Sequence, residues 1–151
     1  MGAEATGGSS GGRTIVPHGN YVLAKRHRDL VFTAGMTPRK NGILTHTGTF
    51  TNDFDLEGCK ETVELAASNA LAVARRLLTD KERIDSILSM TVFVSASGDF
   101  NQHSRIADHA SNYFFQELGE KGIGARAAVG VASLPGAAVV EIQIIATVAE
   151  D

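Results

Sequence analysis

The sequence predicts an α+β domain, a sheet of about six strands with two helices on one face. Three observations carry this. Two stretches, 56–78 and 100–118, repeat apolar residues every three or four positions, the period of a helix packed along one side. The remaining apolar runs are short, β-rich and bounded by Gly, Asn and Pro breaks. Their order along the chain, β-β-(β)-α-β-α-β-β, mixes hairpin-length with helix-length connections, which segregates the helices to one side of the sheet. At 151 residues the chain is long enough to bury one core of its own. Met1 to Gly12 are mostly Gly, Ser and Ala, and such a segment does not offset its ordering entropy. The expected organisation is a flexible tail over 1–13 and a single domain over 14–151.

Tyr21 to Arg26 and Leu30 to Gly35 read as two strands, and the short polar link His27-Arg28-Asp29 makes them an antiparallel hairpin. Asn41-Gly42 is a turn signal, followed by a short edge strand over Ile43 to His46. In the first helical stretch Cys59, Val63, Ala66, Ala67, Ala70 and Ala74 form an inner stripe, with Asp55 as the expected N-cap. Ile84 to Ser95 is a long strand whose strict alternation places Leu88, Met90, Val92 and Val94 on one face. The second helix turns Ile106, Ala110, Tyr113, Phe114 and Leu118 inward, with Asp99 as its cap and Gly119, Gly122 and Gly124 at its end. Two last strands, around Ala125–Val131 and Val139–Ala146, flank a Leu134-Pro135-Gly136 break and are expected to form a hairpin. Neither face of the last strand reads as solvated, so the uncovered sheet face is expected to pack against other subunits.

Composition narrows the function. A net charge of -3 gives no general attraction to nucleic acid, and no run of apolar residues is long enough to span a membrane. The single cysteine, Cys59, permits no disulfide within the chain. A cytoplasmic protein is the expectation. No nucleotide-binding fingerprint appears and the five histidines have no metal-ligand spacing, so no cofactor and no metal are expected.

Two charges stand out because they interrupt the last two strands. Arg126 shares a strand face with Ala128 and Gly130, whose small side chains leave room for a ligand; a guanidinium matches a carboxylate with two parallel hydrogen bonds. Glu141 sits among Val139, Val140, Ile142 and Ile144; burial raises a carboxyl pKa and a nearby arginine lowers it, and either way the group suits holding a water or moving a proton. The plain alternative is a salt bridge between the two. In a hairpin turning at 134–137, Arg126 falls opposite a residue near Ile145, roughly four residues or about 13 Å along the strand from Glu141. That offset favours a site shared between subunits. Tyr21 opens the first hairpin strand, where its hydroxyl can point into a pocket, and Gly35 ends the second, where a side-chain-free position lets backbone or ligand approach closely.

The run from Gly124 to Pro135 with Val140-Glu141-Ile142-Gln143-Ile144-Ile145-Ala146 resembles the signature of the Rid family (YjgF-like, or L-PSP endoribonuclease-like). Phe32-Thr33-Ala34-Gly35 and Thr91-Val92-Phe93-Val94 before Asp99-Phe100 match it as well, and the likeness covers roughly residues 16–149. The second-helix region is similar to a divergent branch outside the archetypal deaminase group. The resemblance implies a chorismate-mutase-like fold, a homotrimer whose sheets form an inner barrel, and ligand clefts between subunits. It implies hydrolysis of reactive 2-imino (enamine) acids to 2-keto acids and ammonia, with Arg126 gripping the carboxylate and Glu141 placing the water. Tyr21, Ala34, Gly35, Asp108 and Ala128 then fall at substrate-binding positions. Three of these depart from the deaminase pattern: Ala34 replaces a serine, Ala128 a cysteine and Asp108 an asparagine, and an aspartate beside Arg126 competes with a substrate carboxylate. The partner expected is therefore a small carboxylated metabolite. A non-catalytic metabolite-binding or regulatory trimer is the alternative, with endoribonuclease activity disfavoured by the acidic balance and chorismate mutase activity resting on fold analogy alone.

Overall fold

The computed structural model describes residues 13–151. Of the tail expected over 1–13, all but Arg13 lies outside the described residues; Arg13 itself donates to Ser68 Oγ (2.6 Å) and Asn69 Oδ1 (3.2 Å) on the first helix.

Strands β1 (Ala24–His27) and β2 (Leu30–Thr33) form the expected hairpin, with Arg28 in a positive-φ turn. Two short strands, β3 (Arg39–Lys40) and β4 (Ile43–Leu44), pair with each other across Asn41-Gly42, both at positive φ. That is the primed turn geometry such a dipeptide favours. Then come α1 (Lys60–Arg75), β5 (Glu82–Ser95), α2 (His103–Leu118), β6 (Ala125–Val131) and β7 (Val140–Glu150). Among the described residues the main sheet has five strands in the order β1-β2-β7-β5-β6, so the sheet of about six divides into five strands plus a separate two-stranded ribbon.

The last hairpin does not form. β6 and β7 both pair with β5, one on each side, β6 parallel and β7 antiparallel. The helix between β5 and β6 decides this: a strand–helix–strand unit returns the chain to the same end of the sheet and makes its strands parallel. The link between β6 and β7 then wraps the end of β5, where Ser95 N donates to Val139 O and Ala96 N to Val131 O.

Both helices lie on one face. Beneath them β7 buries Val140, Ile142, Ile144, Ala146 and Val148, and α1 contributes the fully buried Val63, Ala66, Ala67, Ala70 and Ala74. Alanine along that stripe lets the α1 backbone approach the sheet closely. The alternation expected for β5 fails at Leu88, which is exposed, while Ile84, Ile87, Met90, Val92 and Val94 are buried. Two register shifts against β7, at Ile84/Ser86 and Ile87/Ser89, explain it, because each inserts one residue and reverses the in-out parity of the residues beyond it. The expected side-chain caps are also absent. α1 is preceded by Cys59 and α2 by Gln102, neither capping with its side chain, because both helices start later than their apolar pattern. Asp55 and Asp99 instead lie in the preceding loops.

Among the described residues nothing covers the other sheet face. Phe32, Phe93, Val129 and Ile145 lie on it, with Phe32 and Val129 about two-fifths exposed (41% and 40%).

Candidate functional site

The sequence-predicted residues fall into two groups on opposite faces of the sheet. The first gathers around Glu141. On β7, Val140 and Ile142 face the helices, so Glu141 between them faces the bare side, level with Phe93 on β5. β2 ends beside it, and the Met36–Ile142 bridge carries the chain past β7 with Gly35 directly against the carboxylate. A Cβ added at Gly35 would stand 2.6 Å from Glu141 Cδ, so only glycine fits there without moving the side chain. Tyr21, in the loop before β1 and not on the strand itself, closes the same cleft and accepts a hydrogen bond from His18 N (3.2 Å). The cleft holds about 110 Å³ and is walled also by His18, Met36, Arg39 and Pro135. Among the described residues no cation lies within ion-pair distance of Glu141, and burial pushes its carboxyl pKa above the usual range. Ala34, one residue before Gly35, is half-buried, and its N donates to Leu23 O (2.8 Å).

The second group gathers around Arg126. On β6, Arg126 and Ala128 pair with Met90 and Val92, both buried beneath the helices, so Arg126 leaves the sheet on the helix side. It runs along the flank of α2. Its Nη1 donates to Asp108 Oδ1 (2.8 Å) and Ser111 Oγ (3.0 Å). Its Nη2 donates to Ser104 Oγ (2.7 Å) and Ser104 O (3.3 Å). The side chain of Arg126 is 21% exposed and that of Asp108 61%, so solvent screens the pair and its net worth is at most about 1 kcal/mol. Further along β6, Ala128 is half-buried and Gly130 abuts His103, whose Cδ2 would lie 3.2 Å from a Cβ at that position.

Tyr21, Gly35 and Glu141 thus come together with Ala34 beside them, and Arg126, Asp108 and Ala128 come together elsewhere. The salt bridge between Arg126 and Glu141 does not exist within one chain. Three residues along β5 and two strand spacings separate them, about 14 Å between Cα atoms, and their side chains leave opposite faces. Sequence reasoning missed Ser104 and Ser111. The signal was present: Ser104, Asp108 and Ser111 are spaced by four and three, one polar stripe on a helix. It also missed Arg39, which reaches the Glu141 cleft from the ribbon and had no signal in its surroundings.

A family model described as Endoribonuclease L-PSP matches residues 12–148. The crystal structure of Atu1372, a protein of unknown function from Agrobacterium tumefaciens, is 34% identical, covers 86% of this chain and 82% of its own, and superposes with a TM-score of 0.77. TdcF from E. coli, solved with bound serine, is 27% identical over 89% of this chain and 91% of its own, with a TM-score of 0.58. Protein TCP17 of Trypanosoma cruzi is 28% identical over 128 residues, 84% of this chain and 80% of that protein. No helix among the described residues is long and apolar enough to cross a membrane.

Proposed function

Because the chain belongs to the Endoribonuclease L-PSP (Rid, YjgF-like) family, we propose that it forms a homotrimer with a carboxylate-binding cleft at each subunit boundary. One subunit contributes Arg126 with Asp108 and Ala128, and its neighbour contributes Tyr21, Ala34, Gly35 and Glu141. The observation that carries this reading is the placement of Arg126 and Glu141 on opposite sheet faces: a small ligand cannot touch both in one chain, but a neighbour docked on the bare face can complete the site. Phe32, Phe93, Val129 and Ile145 on that face supply the apolar area such docking needs, and three copies closing on one another would give the inner barrel of a chorismate-mutase-like assembly. Family membership supports a role in small-molecule binding or processing, and the serine held by TdcF is a small carboxylate of the size the cleft suits.

The reaction proposed is hydrolysis of a 2-imino acid. The guanidinium of Arg126 binds the carboxylate and fixes the C2 carbon. Glu141 accepts a proton from water as the oxygen adds to C2 of the neutral imine and passes it to nitrogen; it then takes the hydroxyl proton of the resulting carbinolamine and delivers it to the same nitrogen as C2–O becomes a carbonyl and the C–N bond breaks, giving a 2-keto acid and ammonia. Its raised pKa brings its proton affinity closer to that of the reacting groups at neutral pH. A second reading has support of its own: both terminal nitrogens of Arg126 are already engaged by its own chain, as in a trimer that binds metabolites without turning them over.

One assay separates the two. 2-Iminopropionate is generated from alanine by an amino-acid oxidase, and pyruvate release is followed with and without the protein. Acceleration by the wild type, lost by about 100-fold or more in Arg126→Ala, is the expected result. Binding of pyruvate with no acceleration would favour the non-catalytic reading, and full activity in Arg126→Ala would overturn the clamp.

A further inference from the structure

Arg126 is not a vacant clamp. Asp108 Oδ1 and the hydroxyls of Ser111 and Ser104 occupy its terminal nitrogens, and among the described residues only its Nε–H is without a partner. Asp108 has no other cation within ion-pair distance among the described residues, and it is the more exposed member of the pair. A ligand carboxylate that takes Nη1 must displace Asp108 or Ser111, and in either case two carboxylates then stand against one guanidinium, so the exposed Asp108 is the partner driven off. Like charges at that distance disfavour the complex unless the ligand brings positive charge of its own.

We infer that Asp108 determines specificity at the Arg126 site by acting as a resident carboxylate, admitting ligands that carry a cationic or N–H-donating nitrogen beside their carboxylate and rejecting those that carry only the carboxylate. The inference rests on the carboxylate-clamp reading above. A protonated 2-imino acid or a 2-amino acid gives the displaced Asp108 a new partner within reach of C2. A 2-keto acid of the same size presents a carbonyl oxygen there, which accepts and does not donate, and leaves Asp108 unpaired beside a second anion. The pair thus discriminates between imine and ketone at a position where their shapes are almost the same, and it favours release of a keto-acid product. Ser104 and Ser111 hold the guanidinium from the same helix face, so Arg126 keeps its place when Asp108 lets go.

The test uses the full chain and two probes that differ only at C2, L-alanine and pyruvate, titrated by calorimetry into wild type, Asp108→Asn and Arg126→Ala. Asparagine keeps the shape and a hydrogen-bond acceptor but removes the charge, and a position so exposed tolerates it, which an unchanged thermal midpoint confirms. The expected result is that wild type prefers alanine by about fivefold or more, and that Asp108→Asn tightens pyruvate by about tenfold and abolishes the preference. Unchanged pyruvate affinity in Asp108→Asn, with both ligands lost in Arg126→Ala, overturns the role of Asp108 alone. Equal tightening of both ligands overturns the selection while leaving the competition. Retained binding in Arg126→Ala overturns the clamp and this inference with it.

Discussion

Arg126 and Glu141 leave opposite faces of one sheet, from the two strands that flank β5. Neither side chain reaches the other within one chain. If their site spans a subunit boundary, a subunit lacking Arg126 and one lacking Glu141 complement each other. Co-assembled from equal amounts of Arg126→Ala and Glu141→Ala chains, random trimers retain about a quarter of wild-type sites, because a site survives only where the intact arginine meets the intact glutamate. Activity or ligand stoichiometry of the mixture, against the inactive parents, measures this; a mixture as inactive as both parents would place the two residues in separate sites.

Gly35 is required by contact and not by backbone strain, since its Cβ would overlap the Glu141 side chain. Gly35→Ala is expected to push that carboxylate out of its cleft, costing about 1–3 kcal/mol of stability by overpacking and at least about tenfold in turnover or ligand affinity. Urea unfolding and titration read the two effects separately. Gly35→Ala combined with Glu141→Gly is expected to recover stability without recovering function.

Glu141 carries a stability cost that stems from its burial. Its folded-state pKa is raised above the ordinary 4.5, so the folded protein holds that proton more tightly than the unfolded chain does. Below that ordinary value the carboxyl is protonated in both states and costs nothing. As pH rises through the folded-state pKa the charged form must be buried, and stability falls. Glu141→Gln is therefore expected to unfold at a higher temperature than wild type at neutral pH, with the advantage vanishing at low pH. A thermal midpoint equal to or below that of wild type at neutral pH would contradict this.

Arg26 and Glu82 give the opposite sign. Two parallel bonds of 2.7 Å join them, tying the β1 hairpin to the start of β5, and Arg26 also donates to Leu77 O (3.2 Å). The guanidinium holds the Glu82 carboxyl down to about 2 from its ordinary 4.5. That stabilisation is fully present above the unfolded value of 4.5 and is lost as pH falls toward about 2. Glu82→Gln is expected to flatten the acid limb of the stability curve between those values. Its loss of stability should show at neutral pH and fade in acid, which chemical denaturation at stepped pH would reveal.

Much of the fold was legible because local pattern and burial agreed. Cys59 to Ala74 repeats at helical period and packs as that period says; Asn41-Gly42 makes the turn its dihedrals allow; Leu30 to Thr33 alternates and lies in the sheet. Reading failed where the outcome depended on a distant strand. Leu88 has the sequence of a core residue, but the bulges that turn it outward exist only in register with β7. The candidate site divides the same way. Arg126 and Glu141 are visible as charges in apolar runs, whereas Ser104 and Ser111 acquire meaning only once β6 lies beneath α2.

The order of residues along the chain thus dictates the set of elements, the identity of the two unusual charges, and the bare apolar face that calls for company. These rest on composition and short-range period, which every residue carries with it. The pairing of β6 with β5 and not with β7 arises only in three dimensions, because the α2 crossover sets strand direction over a longer range than any turn signal. That single choice of neighbour sends Arg126 to Asp108 on the helix side and leaves Glu141 with Gly35 on the other.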